Sequence, residues 1–152
     1  MDLRIANSIE NLNIRDLSVI HDEKGSVLHM IRSDSKNFSR FGEIYFSEIE
    51  FDVIKGWKRH KISTQNFAVP SGSIKLVVYD NREGSASKGE VLEMVLGREN
   101  YKLVTIPPKL WYSFKGLSTK TSIIANCIDY PHEPSESDTL AIHNNQIPYH
   151  WQ

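Results

Sequence analysis

Lys58, His60, Gln65 and Tyr112 are the polar side chains whose types and spacing suit the movement of a proton. His60 is the natural base, because an unperturbed imidazole changes charge near neutral pH. Lys58 acts as a base where burial removes its charge, and otherwise as a fixed cation that stabilises a developing negative charge. Tyr112 carries a phenol able to donate or return a proton, and Gln65 can hydrogen-bond a hydroxyl group. If Ile54–His60 is a strand, its side chains alternate, so Lys58 and His60 are neighbours on one face. Lys55, Trp57 and Arg59 then take the other face, unless Gly56 introduces a bulge. Each residue also has a plainer use, as a solvated strand histidine, a surface lysine, or a packed tyrosine with its hydroxyl wet.

The elements that must hold these residues read as short strands: Val27–Arg32, Ile44–Phe51, Ile54–Lys61, Gln65–Val69, Ile74–Asp80, Val91–Leu96, Lys102–Ile106, Trp111–Lys115 and Thr121–Asp129. They are rich in β-branched and aromatic residues and are separated by turn signals, such as Asp22–Gly25, Pro70–Gly72 and Asn81–Ser85. Only Ser35–Phe41 and Glu133–Leu140 suit short helical turns, and neither sustains a helical period. Many short strands with little helix predict an all-β jelly roll with a pocket between its two sheets. Edge strands of such barrels pair readily with another chain. The N-terminal segment is the natural one to cross between subunits of a homodimer.

Composition narrows the function classes. A 152-residue chain with 39% hydrophobic and 24% charged residues is one ordinary globular domain, residues 1–152. A formal net charge of -1 gives no reason to expect nucleic acid or an acidic membrane as partner. Cys127 is the only cysteine, so no internal disulfide forms, as suits a reducing compartment. No run approaches the roughly 18 apolar residues of a membrane span, and MDLRIANSIENLN lacks the apolar core of a signal peptide. The expected location is the cytoplasm. Trp57, Trp111 and Trp151 are explained as well by packing as by stacking on a base or sugar. His132, His143 and His150 lie in a tail without ligand spacing.

The stretch Ile54–Gly72, I-K-G-W-K-R-H-K-I-S-T-Q-N-F-A-V-P-S-G, resembles the first motif of a cupin barrel, and Pro107–Tyr112 resembles the second, P-x-G-x-x-H. Lys58, His60, Gln65 and Tyr112 stand at the ligand places of metal-binding cupins. Lysine and glutamine are poor ligands, so this set gives no tight transition-metal site. From about Ile14 to Trp151 the chain is similar to the dTDP-4-dehydrorhamnose 3,5-epimerase family and to its relatives, the dTDP-sugar 3,4-ketoisomerases. The signposts are D-E-K-G at Asp22–Gly25, I-K-L-V-V-Y-D-N-R followed by Gly84-Ser85, N-Y-K-L-V-T-I-P-P-K-L-W-Y-S-F at Asn100–Phe114, and Asp129-Tyr130 before Pro131–Glu136. The ketoisomerase pattern matches at Gly56, His60, Lys61 and Gln65. The general-base histidine of the epimerases falls on Lys58 and their acid tyrosine on Ala125. The aspartate that orients their histidine finds no counterpart.

The resemblance implies a double-stranded β-helix, no cofactor, and a nucleotide-linked 4-keto-deoxy sugar as substrate in surface polysaccharide biosynthesis. Such enzymes take a proton from carbon beside the ketone and return it, which needs a base, a donor for the enolate oxygen and an acid. His60, Lys58 and Tyr112 are the residues placed for these roles. Gln65, Lys24, His29 and Lys55 fall where the family contacts the nucleotide sugar. Epimerisation is the leading expectation; 3,4-ketoisomerisation and sugar-nucleotide binding without catalysis are the alternatives.

Overall fold

One strand, β7 (Ser73–Tyr79), shows why this chain folds in layers. Its Ile74, Leu76 and Val78 point into one apolar cluster, and its Val77 and Tyr79 point into another on the opposite face. A strand that is apolar on both sides must be covered on both sides. The computed structural model describes residues 7–152 and meets that demand with two five-stranded antiparallel sheets. The first runs β1 (Asn13–Asp16), β9 (Lys102–Ile106), β6 (Gln65–Ser71), β11 (Ser122–Ile128), β4 (Glu43–Ile49). The second runs β12 (Ser137–Thr139), β5 (Ile54–His60), β10 (Trp111–Gly116), β7, β8 (Val91–Gly97). A separate hairpin joins β2 (Val19–Asp22) to β3 (Gly25–Leu28). This is the expected all-β jelly roll.

The main core lies between the sheets, where Phe67, Val69, Leu76, Val104, Phe114 and Ile124 meet. A second cluster covers the outer face of the second sheet, where Ile147 and Trp151 of the C-terminal segment pack on Trp57, Val77 and Trp111. All three tryptophans are thus packing residues. Each such side chain contributes about 1.5–3 kcal/mol by burial. A third cluster lays Val19 and Leu28 of the hairpin against Ala68 and Leu103 of the first sheet.

The V-V-Y-D-N-R segment is structural. Asp80 is fully buried and accepts two bonds from the Arg82 guanidinium, both at 2.9 Å, and one each from Ser85 and Ser87 at 2.6 Å. Burial opposes its charge, but Arg82 and the two serines overcome that and hold the carboxyl far below its ordinary range. The network closes the loop between β7 and β8.

The structure departs from the sequence expectations at several elements. Ser35–Phe41 is a bend and turn at its start followed by irregular chain rather than helix, and within Glu133–Leu140 only Pro134–Glu136 is helical, as a single 3-10 turn that leads into β12. Strands β1, β2 and β12 were not apparent from their three or four residues, and β3 begins before Val27 and ends at Leu28, short of the expected Arg32. The described part of the N-terminal segment pairs, through β1, with β9 of its own chain; residues 1–6 lie outside the described residues. No helix among the described residues is long and apolar enough to cross a membrane.

β5 and β10 pair with a shift of register. Tyr112 is opposite Lys58 and Ser113 is opposite Gly56, so Trp57 is the extra residue. The bulge needs glycine: Gly56 has φ +117, and a methyl group there would stand 2.8 Å from Ser113 Cα and 2.9 Å from the Tyr112 carbonyl oxygen. Gly84 also has a positive φ, +78, but nothing lies within 4 Å of its would-be Cβ. Gly56→Ala should therefore cost about 2–4 kcal/mol from combined strain and clash, against about 1–2 kcal/mol for Gly84→Ala. Urea midpoints of the two variants check this; equal shifts would show that the close approach carries no cost.

Candidate active site

Strand alternation brings Lys58 and His60 to the inner side of β5, as the sequence implies. Tyr112 joins them from β10, held by the turn before it. Lys109 adopts φ +71, where the family motif has glycine, and its backbone N–H donates to the His60 carbonyl at 2.7 Å. His60 is 6% exposed. Its Nδ1 lies 2.7 Å from Glu136 Oε2, and its Nε2 lies 3.1 Å from the Tyr112 hydroxyl.

Glu136 is the functional residue that the sequence reading missed. It sits at the end of the 3-10 turn, just before β12, whose Ser137 pairs with His60. Its second oxygen accepts the backbone N–H groups of Ile62 and Ser63 at 2.9 and 2.8 Å. Burial disfavours the Glu136 charge, but the His60 and backbone donors outweigh it and hold the carboxyl down at about 2. Burial pushes His60 below its ordinary value, and the Glu136 bond offsets this only in part. At neutral pH a carboxylate therefore holds a neutral imidazole. The proton is on Nδ1, so Nε2 accepts, and the Tyr112 O–H donates to it. Burial also raises the Tyr112 phenol, which stays protonated. Glu136 is thus a carboxylate that orients His60. The signal available in the sequence was only that an acid closes the Pro131–Glu136 signpost.

Between the sheets lies a cavity of about 190 Å³ whose wall includes Tyr45, Lys58, Phe67, Tyr112, Phe114 and Asn126. Sites for drug-sized ligands run to about 300–1,000 Å³, so this one suits a single ring with the rest of its ligand outside. His60 is not part of the wall; it stands behind Tyr112 and reaches the cavity through it. The bulge turns Lys55 and Gly56 into the same wall, which corrects the expectation that Lys55 faces outward with Trp57. Lys55 Nζ also donates to the Glu48 carbonyl. On the rim, Glu43, Tyr45, Lys58 and His132 enclose a further hollow, so His132 borders the site.

The remaining expected residues lie elsewhere. Gln65 is 1% exposed and outside the cavity wall, with its Oε1 accepting from Asn126 Nδ2 at 2.5 Å. Lys24 and His29 are exposed, in the turn of the β2–β3 hairpin and just after it, away from this cavity. Ala125 packs away from the cavity, opposite Ala68, while its neighbours Ile124 and Asn126 face inward. The fold thus gives Ala125 no place for an acid. A larger hollow of about 490 Å³ includes Arg59, Lys61, Arg82 and Asp138, the first two flanking His60 in the chain, but His60 itself does not line it. Its Arg59 is paired with Asp138, and its Arg82 with Asp80. Among the described residues no group of three or more His, Cys, Asp or Glu is gathered to hold a metal ion.

The depressed Glu136 pKa fixes a pH dependence. Its contribution to stability is present above the unfolded value near 4.5 and is lost as pH falls toward about 2. At about 1.4 kcal/mol per pH unit, its worth at neutral pH is roughly 3 kcal/mol. Neutral His60 acts in the same direction, losing stability as pH drops below its ordinary value of 6.5. Glu136→Gln should lower the melting temperature at pH 7 and flatten its fall between about pH 4.5 and 2. Parallel pH profiles for variant and wild type would refute this account of the carboxylate.

A dTDP sugar isomerase of Desulfovibrio desulfuricans superposes with a TM-score of 0.92 at 45% identity, over 95% of this chain and 92% of that one. A probable low-salt glycan biosynthesis epimerase of Haloferax volcanii is 31% identical over 121 residues, 78% of either chain. A spore coat polysaccharide biosynthesis protein of Bacillus subtilis is 25% identical over 145 residues, covering 94% of this chain and 96% of that one. The dTDP-4-dehydrorhamnose 3,5-epimerase profile matches residues 6–152, and with that match over nearly its whole length the chain belongs to this family.

Proposed function

We propose that the protein is an epimerase of a nucleotide-linked 4-keto-deoxy sugar, acting in polysaccharide biosynthesis in the cytoplasm. The observation that carries this reading is the Glu136–His60–Tyr112 chain, which ends on a small cavity that also holds Lys58. A ketone oxygen near Lys58 places the adjacent C–H toward Tyr112. The proton passes to the Tyr112 oxygen as the Tyr112 proton moves to His60 Nε2, and Glu136 stabilises the imidazolium that forms. Lys58 balances the enolate charge. His60 is thus the base and Tyr112 the atom through which it acts. Lys55, on the same wall, is placed for the phosphates outside the cavity. The names of the relatives support the substrate class and the setting. The ketoisomerase pattern is less well supported, because Gln65 lies behind Asn126 and outside the cavity wall.

Incubation with dTDP-4-keto-6-deoxyglucose in deuterated water tests the reading. Epimerisation places deuterium at C3 or C5, ketoisomerisation moves the ketone, and a binding protein does neither. His60→Ala should cost about 10²–10⁴ in rate, the usual worth of a general base, while thermal unfolding stays cooperative. Full turnover in that variant would remove His60 from the mechanism.

We also propose a homodimer through the outer face of the first sheet. β4 is its edge strand and exposes Ile44 and Phe46, the latter 66% exposed, and such a row is apt to be covered by a second copy. Phe46→Glu should halve the sedimenting mass. An unchanged mass would exclude this face.

A further inference from the structure

The amide of Asn126 decides which way the second phenol of the cavity points. Asn126 lies within 3.2 Å of the backbone N–H of Asn66. A backbone N–H only donates, so the atom facing it is Oδ1. Asn126 Nδ2 is therefore the atom turned toward Gln65 Oε1, at 2.5 Å, and toward the Tyr45 hydroxyl, at 2.8 Å. Gln65 must present its oxygen to that amide, which leaves its buried Nε2 without a partner. An orphaned buried donor costs about 1–3 kcal/mol, so the polarity of the Gln65–Asn126–Tyr45 chain is imposed by its surroundings.

The Tyr45 oxygen is thus an acceptor toward Asn126. Among the described residues nothing takes its hydrogen, and its side chain lines the cavity. Tyr112 has the opposite polarity, because its hydrogen goes to His60 and its free lone pair faces the cavity. The two phenols also come from opposite sheets, Tyr112 from β10 of the second and Tyr45 from β4 of the first. One wall of the cavity offers a proton acceptor, and the facing wall offers a donor.

We propose that Tyr45 is the acid of this site, returning a proton to the substrate carbon on the face opposite Tyr112. The inference rests on the epimerase reading above. When the C–H bond breaks, the proton goes to the Tyr112 oxygen, the Tyr112 proton goes to His60, and the electron pair moves to the ketone oxygen. When the pair returns to carbon, the carbon takes the Tyr45 proton from the other side and its configuration inverts. The cycle closes as His60 releases a proton to water and Tyr45 regains one. Burial keeps Tyr45 protonated at rest, and the Asn126 donor eases its ionisation. This supplies the acid that Ala125 cannot.

The test is stereochemical. In deuterated water, Tyr45→Phe should still exchange deuterium into recovered dTDP-4-keto-6-deoxyglucose, because the Tyr112–His60 arm is intact. Formation of the inverted product should fall by about 10²–10⁴. Tyr112→Phe should stop both exchange and inversion. Asn126→Asp keeps the shape but offers Tyr45 an acceptor, turning its hydrogen from the cavity, so it should separate exchange from inversion as Tyr45→Phe does. Binding of dTDP by each variant checks that the site is intact. Inversion at the wild-type rate in Tyr45→Phe, or equal loss of exchange and inversion with dTDP binding retained, would overturn the assignment of Tyr45 alone. A wild-type protein that binds dTDP-4-keto-6-deoxyglucose yet neither exchanges nor converts it would overturn the functional reading, and this inference with it.

Discussion

Everything at the site depends on the bulged pairing of β5 with β10. A strand presents alternate residues to its two faces, so an unbroken β5 would send Lys55 outward with Trp57 and Arg59. One extra residue at Trp57 breaks the alternation, and Lys55 joins Lys58 on the cavity wall while Trp57 stays in the outer cluster. Only glycine fits at position 56, because the β10 backbone approaches too closely for a side chain. The same strand therefore satisfies a fully buried tryptophan on one side and a polar cavity on the other.

A polar chain buried among aromatic residues survives only if each member has a partner. Glu136 meets this with a ring nitrogen and two backbone N–H groups, His60 with a carboxylate and a phenol. The consequence is directional. An ionised Glu136 fixes the tautomer of His60, which fixes the orientation of the Tyr112 hydrogen and leaves its lone pair facing the cavity. Asn126 imposes the reverse orientation on Tyr45 from the other sheet. Preorganised polarity of this kind does not need to be rebuilt during a reaction.

Much of this was legible in the chain. The apolar, β-branched runs Ile74–Tyr79 and Val91–Leu96, bounded by turn signals, marked strands, and the spacing of Lys58 and His60 placed both on one face. The motifs around His60 and Tyr112 brought two distant segments together through a family pattern. The short strands β1, β2 and β12 were not legible, because three or four residues carry too little periodicity. Glu133–Leu140 resembled helix locally, yet its last residues were captured by the free edge of β5.

The sequence by itself determined the two-layer β architecture, the lysine in place of the family histidine, and the choice of His60 and Tyr112 as candidates, which the fold brings into contact. These follow from local periodicity and from motifs a few residues long. Only the tertiary structure decided that Glu136 orients His60, that Lys55 faces inward, that Gln65 stands behind Asn126, and that Tyr45 and Tyr112 line one cavity from different sheets. Such facts rest on contacts between strands far apart in the chain, whose register is set by the packing of both sheets at once and leaves no trace in neighbouring residues.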